Sequence, residues 1–233
     1  LLLEKQHALY LEKAFSDKKL ELYKDNDFAA LTERILNPTV TEFKVPDEVR
    51  ASLRPYQVTG YKWLRTLAEN ELGGILADDM GLGKTLQSIV YIASGLIESR
   101  EKGEESPPYL IVCPTSLTYN WLDEIENFTP FIKATVVTGT PQERQEMIEQ
   151  YEKYDVLITS YPLIRRDIKS YEEINFNTVF IDEAQFIKND SSQNAKSVKR
   201  LVAKNKFALT GTPIENSLSE LWSIFDFIMP GYL

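Results

Sequence analysis

From about residue 50 onward, short apolar runs alternate with longer amphipathic stretches, the sequence pattern of a parallel sheet with crossover helices. Residues 74–77, 109–113, 134–138, 156–160, 178–181 and 207–210 are the predicted strands. Between them apolar residues recur at helical spacing: Leu86, Ile89, Val90, Ala93 and Leu96 follow Thr85, and Leu117, Trp121, Leu122, Ile125 and Phe128 follow Ser116. Two capping boxes, Thr140 to Glu143 and Ser217 to Glu220, announce further helices, the second running through Leu221, Trp222, Ile224, Phe225 and Ile228. The charged stretch 98–108 is expected to be a surface loop. Ahead of residue 50 the chain is more polar, with Phe28, Leu31 and Ile35 predicting one helix between Asp27 and Asn37-Pro38. The expected division is a helical N-terminal appendage, 1–49, and an α/β domain, 50–233.

Composition narrows the function classes. The 26 Lys and Arg against 35 Asp and Glu leave a net charge of −9, which excludes a protein that coats nucleic acid through bulk positive charge. A lone Cys113 excludes a disulfide framework and a Cys-rich zinc module, and a single His7 leaves no His-based metal cluster. No apolar run approaches the ~18 residues of a membrane span, and no signal peptide is visible, so an intracellular, reducing location is expected: cytoplasmic at the nucleoid if bacterial, nuclear if eukaryotic. With no initiator Met and an end directly behind an apolar helical segment, the chain reads as a fragment of something longer.

Two clusters carry chemistry. Gly81-Leu82-Gly83-Lys84-Thr85 lies between a predicted strand and an amphipathic helix, where a glycine-rich turn presents backbone N–H groups to phosphate. Lys84 would reach the β and γ phosphates, and the Thr85 hydroxyl would hold Mg²⁺. Asp78 stands where the usual phosphate-loop pattern has its first Gly. Further on, Asp182-Glu183 closes a predicted strand, the end at which open α/β sheets gather ligands. There Asp182 would hold Mg²⁺ while Glu183 positions and activates the attacking water.

With four more segments in order, the chain resembles the Swi/Snf-type ATPases of helicase superfamily two, over about residues 50 to 233. Leu53-Arg54-Pro55-Tyr56-Gln57 with Gly60 is similar to the family's Q-type motif, and Asp78 to Thr85 to its motif I, which accounts for the missing Gly. Val112 to Leu117 with Asn120, Trp121 and Glu124 resembles motif Ia, and Ile158-Thr159-Ser160-Tyr161 motif Ib. Asp182-Glu183-Ala184-Gln185 resembles motif II, and Leu209 to Asn216 motif III. The last, as Leu-Thr-Gly-Thr-Pro, separates the chain from RNA helicases of the same superfamily.

The resemblance implies a RecA-like P-loop fold, a mostly parallel sheet flanked by helices. It implies ATP bound by Arg54, Tyr56, Gln57 (at adenine), Met80, Gly81, Leu82, Gly83, Lys84, Thr85 and Leu86, and Mg²⁺ held by Thr85 and Asp182. Gln185, Thr210, Gly211 and Thr212 would couple nucleotide state to a double-stranded DNA track. DNA contacts fall on Pro114, Thr115 and Ser116, on Thr138 and Gly139, and on Thr159, Ser160 and Tyr161. Two positions depart from most members, Gln185 for His and Glu215 for Gln, variants that fit bacterial members. Such motors close two RecA-like lobes on ATP, the second supplying arginine fingers, so this chain is expected to bind nucleotide weakly and hydrolyse it very poorly alone. A non-hydrolysing nucleotide switch and an RNA helicase lobe are the competing readings.

Other features have plainer explanations. Ser116 and Thr140 are equally candidates for helix caps. Arg165, Arg166 and Lys169 form a basic cluster that reads either as added phosphate contacts or as a solvated face; of the run Lys196, Lys199, Arg200, Lys204 and Lys206, the first three at helical spacing read as a solvent face. Trp63, Trp121 and Trp222 sit at apolar helical positions and read as core; Tyr56 has a rival role beside the adenine. Cys113 reads as inert packing.

Overall fold

The computed structural model describes residues 26–36, 42–212 and 218–231. Its six strands form one all-parallel sheet: β1 (Gly74–Leu76), β2 (Tyr109–Cys113), β3 (Ala134–Val136), β4 (Val156–Ser160), β5 (Asn175–Ile181) and β6 (Val202–Leu209), in the order β1-β6-β5-β2-β4-β3. The described helices are α1 (Asn26–Leu36), α2 (Pro55–Glu69), α3 (Lys84–Lys102), α4 (Thr118–Phe128), α5 (Pro141–Glu149), α6 (Tyr161–Tyr171), α7 (Gln193–Lys199) and α8 (Leu218–Ile228). Apolar cores cover both faces of the sheet, one built with α2, α3 and α4 and the other with α6, α7 and α8. The central strands β2 and β4 are buried at every residue, which is why apolar runs mark them in sequence, Tyr109 to Cys113 and Val156 to Ile158.

Strands β5 and β6 are longer than predicted. Their first halves pair with each other, but β2 joins β5 only from Leu110 opposite Val179, and β1 joins β6 only from Gly74 opposite Phe207. Strand hidden on one edge tolerates Asn175, Asn177, Lys204 and Lys206, so the apolar signal starts late. The expected loop 98–108 is helical as far as Lys102. Arg100 and Lys102 occupy the last turn, where cations favour the helix dipole, and Gly103 (φ 69°) ends it in the left-handed conformation.

The N-terminal side of residue 50 is attached to the domain. Val49 and Ile35 are core residues, Phe43 and Val45 pack against the same core, and the Tyr61 hydroxyl donates to the Lys44 carbonyl at 2.9 Å. Helix α1 matches its prediction, while the stop at Asn37-Pro38 lies outside the described residues, as do His7, Ser217 and Pro213 to Asn216. The Thr140 box forms: Glu143 N donates to Thr140 Oγ1 at 3.3 Å, and Thr140 N to Glu143 Oε2 at 2.7 Å. Ser116 is no cap, because Leu117 holds that position and makes no side-chain bond. Cys113 is buried, and burial pushes its thiol up to about 12, so it is inert packing as expected.

The readings of Trp222 as core and of Lys199 as a solvent-facing residue fail. Trp222 is 42% exposed, with the Lys199 ammonium 5.8 Å above its ring. Lys199 is itself mostly buried, ion-paired to Asp190 and, at 2.8 Å, to Asp226. Lys206 points inward from β6 over the Phe227 ring at 5.3 Å, and burial pulls its ammonium down to about 8 against the opposing pull of Asp226. Between about pH 8 and the unfolded-chain value near 10.4 the unfolded state therefore binds more protons, and stability rises with pH. Lys206→Met is expected to stabilise the protein at pH 7 by roughly 1–2 kcal/mol, discounted for residual exposure. Thermal melts should show the gap between the two proteins closing from pH 8 to 10; a constant gap would refute this.

Candidate nucleotide site at the carboxyl edge of the sheet

Strands β1, β6 and β5 are neighbours, so the segments that leave their carboxyl ends meet: the 77–83 loop, Thr210 to Thr212, and Asp182-Glu183. The loop is closed on itself. Lys84 Nζ donates to the carbonyls of Asp78 (2.6 Å) and Asp79 (3.1 Å), and Gln87 Nε2 donates to Asp78 Oδ2 at 3.0 Å. Asp78, the residue replacing the usual Gly, thus ties the loop to α3. Gly83 sits at φ 77° as the N-cap of α3, and a Cβ there would lie 2.4 Å from Gln57 Nε2. The positive φ calls for glycine, and a side chain there would also displace the Gln57 amide.

Gln57 is buried in the first turn of α2. Its Oε1 accepts from Arg54 N at 2.9 Å and its Nε2 donates to the Leu82 carbonyl at 3.2 Å. One amide hydrogen and one lone pair remain for a base. Arg54 and Tyr56 are exposed beside it, Met80 is 77% exposed, and Gly81, Leu82, Thr85 and Leu86 line the loop's surface or lie half-buried behind it.

Asp182 is 8% exposed at the end of β5. Its Oδ2 accepts from the Trp121 indole at 2.9 Å and its Oδ1 from Glu183 N at 2.8 Å. Burial raises its pKa, opposed by these two donors. Glu183 follows with φ 51°, a left-handed conformation that costs a non-glycine residue about 1–3 kcal/mol. That turn swings the chain from β5 into the short 3₁₀ segment Ala184–Ile187. There Gln185 Nε2 donates to Glu183 Oε2 at 2.6 Å, Thr210 Oγ1 donates to Gln185 Oε1 at 3.3 Å, and Thr212 N donates to Thr210 Oγ1 at 3.1 Å. Gln185 thus bridges the strand end of Glu183 to that of Thr210. Gly211 passes against Met80, where a Cβ would stand 3.0 Å from the Met80 side chain.

On the predicted DNA side, Thr115, Ser116 and Gly139 are exposed and Pro114 and Thr138 half-buried. Arg144 holds the Gly139 carbonyl at 2.8 Å while gripping Asp167 with two bonds of 2.6 and 2.9 Å. Thr159 and Ser160 are each 1% exposed, and Tyr161 is buried with its hydroxyl donating to the Asp182 carbonyl at 2.7 Å. The expectation that these three side chains face DNA is corrected: β4 is a central strand, so its last residues and the first of α6 turn into the core. Sequence reasoning misses the Trp121, Tyr161 and Gln87 contacts to the site, because in sequence Trp121 reads as core and Tyr161 as a DNA position.

An SNF2-related domain matches residues 56–233. The TATA-binding protein-associated factor mot1 of Schizosaccharomyces pombe is 43% identical over 209 residues, 86% of this chain and 11% of that protein. An uncharacterized ATP-dependent helicase of Mycoplasma pneumoniae is 45% identical over 197 residues, 84% of this chain and 19% of its own length. Among solved structures, the Sulfolobus solfataricus SWI2/SNF2 ATPase core in complex with dsDNA superposes with a TM-score of 0.71 at 39% identity, covering 81% of this chain and 38% of that one. The chain therefore spans a fifth or less of these two relatives' length. On the matched span and the shared sheet, it belongs to the SNF2-related family and carries the RecA-like fold of its ATPase core.

Proposed function

We propose that this chain is the first ATPase lobe of an ATP-dependent double-stranded DNA translocase, binding Mg²⁺·ATP and part of the DNA track. The observation that supports it most is the hydrogen-bonded series from Glu183 through Gln185 to Thr210 and Thr212, which links the end of β5 to the segment that follows β6. Arg54, Tyr56 and Gln57 would face the adenine. The 81–84 backbone and Lys84 would hold the phosphates once Lys84 exchanges its two carbonyl partners for them.

Thr85 and Asp182 offer hard oxygen donors, which suits Mg²⁺, a cation that takes one or two protein oxygens and completes its shell with phosphate and water. When bound, Mg²⁺ neutralises developing charge on the phosphates. Glu183 would take a proton from the water that attacks the γ phosphorus, as the bond to the β–γ bridging oxygen breaks. Thr115, Ser116, Thr138 and Gly139 would touch the DNA backbone, a local contact compatible with a charge of −9.

A second RecA-like lobe supplying arginine fingers would be needed for efficient turnover, since losing such a finger costs about 10³ to 10⁵ in rate. The decisive experiment measures ATP turnover and strand displacement by the full-length protein. Stimulation by duplex DNA without unwinding is expected, with no DNA-stimulated turnover by residues 1–233 alone. Stimulation by RNA, or by no nucleic acid, would overturn the reading.

A further inference from the structure

Three donors converge on Asp182, two on its carboxylate and one on its backbone carbonyl. The Trp121 indole donates to Asp182 Oδ2, Glu183 N donates to Oδ1, and the Tyr161 hydroxyl donates to the Asp182 carbonyl. Trp121 lies in the first turn of α4, fully buried. Helix α4 continues directly from the 3₁₀ turn Thr115–Leu117, to which it is locked by Thr118 Oγ1 donating to the Thr115 carbonyl at 3.0 Å. Thr115 and Ser116 on that turn are exposed. One turn along α4 from Trp121, Glu124 is raised by burial and then by the Asp182 charge, so the helix faces the carboxylate at two points.

We propose that Trp121 is a positioning residue that fixes Asp182 for the metal and carries the state of the Thr115–Ser116 surface to it. A buried indole needs a partner for its N–H, and any backbone carbonyl would satisfy it. Here the N–H is committed to one oxygen of a carboxylate whose other oxygen is already held by Glu183 N. Held at both oxygens, the carboxylate cannot rotate, and the lone pairs left over have fixed directions. A phosphate docking on the 115–116 turn shifts α4 as a rigid body, and Trp121 moves with it. Such outer-shell partners typically set 10- to 100-fold in metal affinity.

This inference rests on the site holding Mg²⁺ and nucleotide, and its test separates the two. In the full-length protein, binding of a fluorescent ATP analogue is titrated against Mg²⁺, with and without duplex DNA. Trp121→Phe, which keeps a ring and loses the N–H, is expected to raise the Mg²⁺ half-saturation about 10- to 100-fold and leave Mg²⁺-free nucleotide affinity unchanged. Duplex DNA should lower that half-saturation in the unsubstituted protein and not in the variant, because coupling between two ligands is reciprocal and needs its link. Should Trp121→Phe fold poorly, a benzothienylalanine at position 121 keeps the shape and replaces the N–H by sulfur. An unchanged Mg²⁺ half-saturation, an equal loss with and without Mg²⁺, or an intact DNA effect in these variants overturns the inference alone. No Mg²⁺-dependent nucleotide binding by the unsubstituted protein overturns the site reading and this inference together.

Discussion

Lys84→Ala is expected to abolish measurable nucleotide binding. The ammonium is held at the mouth of the loop by the Asp78 and Asp79 carbonyls, neutral partners that a triphosphate outcompetes. A unit charge about 4 Å from a phosphate oxygen near a protein surface is worth about 4 kcal/mol, so a loss of about 10²-fold or more in affinity follows. The substitution also frees two carbonyls of the 77–83 loop, removing what holds it shaped in the absence of ligand. Titration calorimetry with a non-hydrolysable ATP analogue and Mg²⁺ measures this directly. Affinity within a few-fold of the unsubstituted protein would take Lys84 out of the site.

Glu183→Gln is expected to separate binding from chemistry. The amide keeps the size and can turn its oxygen toward Gln185 Nε2, so the connection onward to Thr210 survives. What disappears is the base, and general-base catalysis contributes typically 10²–10⁴-fold. Turnover by the full-length protein should fall by about that factor while nucleotide affinity stays within about threefold. A variant that retains its turnover would show that Glu183 is not the base.

The two substitutions act on residues visible in sequence, but their environment was only partly so. Gln185, flagged as a departure from the usual His, turns out to make both bonds a bridge requires, because its amide donates through Nε2 and accepts through Oε1. Trp121 at an apolar helical position looked like packing, and it is packed; its N–H partner lies 61 residues away and no local pattern reports it. Thr159 and Ser160 followed a DNA-binding pattern, yet both lie opposite Val112 and Cys113 of β2, a strand far away in sequence, and are buried. Polar starts hid the first halves of β5 and β6, since one-edged strand needs no apolar run.

The sequence by itself determined the order of motifs, the parallel α/β class and the phosphate-loop residues, because these depend on local periodicity, glycine conformation and residue chemistry within a few positions. The tertiary structure alone decided which strand ends meet. Strand β6 is inserted between β1 and β5, so the loop after Leu76, the Asp182 carboxylate and Thr210 share one edge although the chain separates them widely. It also decided which hydroxyls and indoles turn inward. Those outcomes follow from burying both faces of one sheet at once, a condition set by the whole chain and by no segment of it.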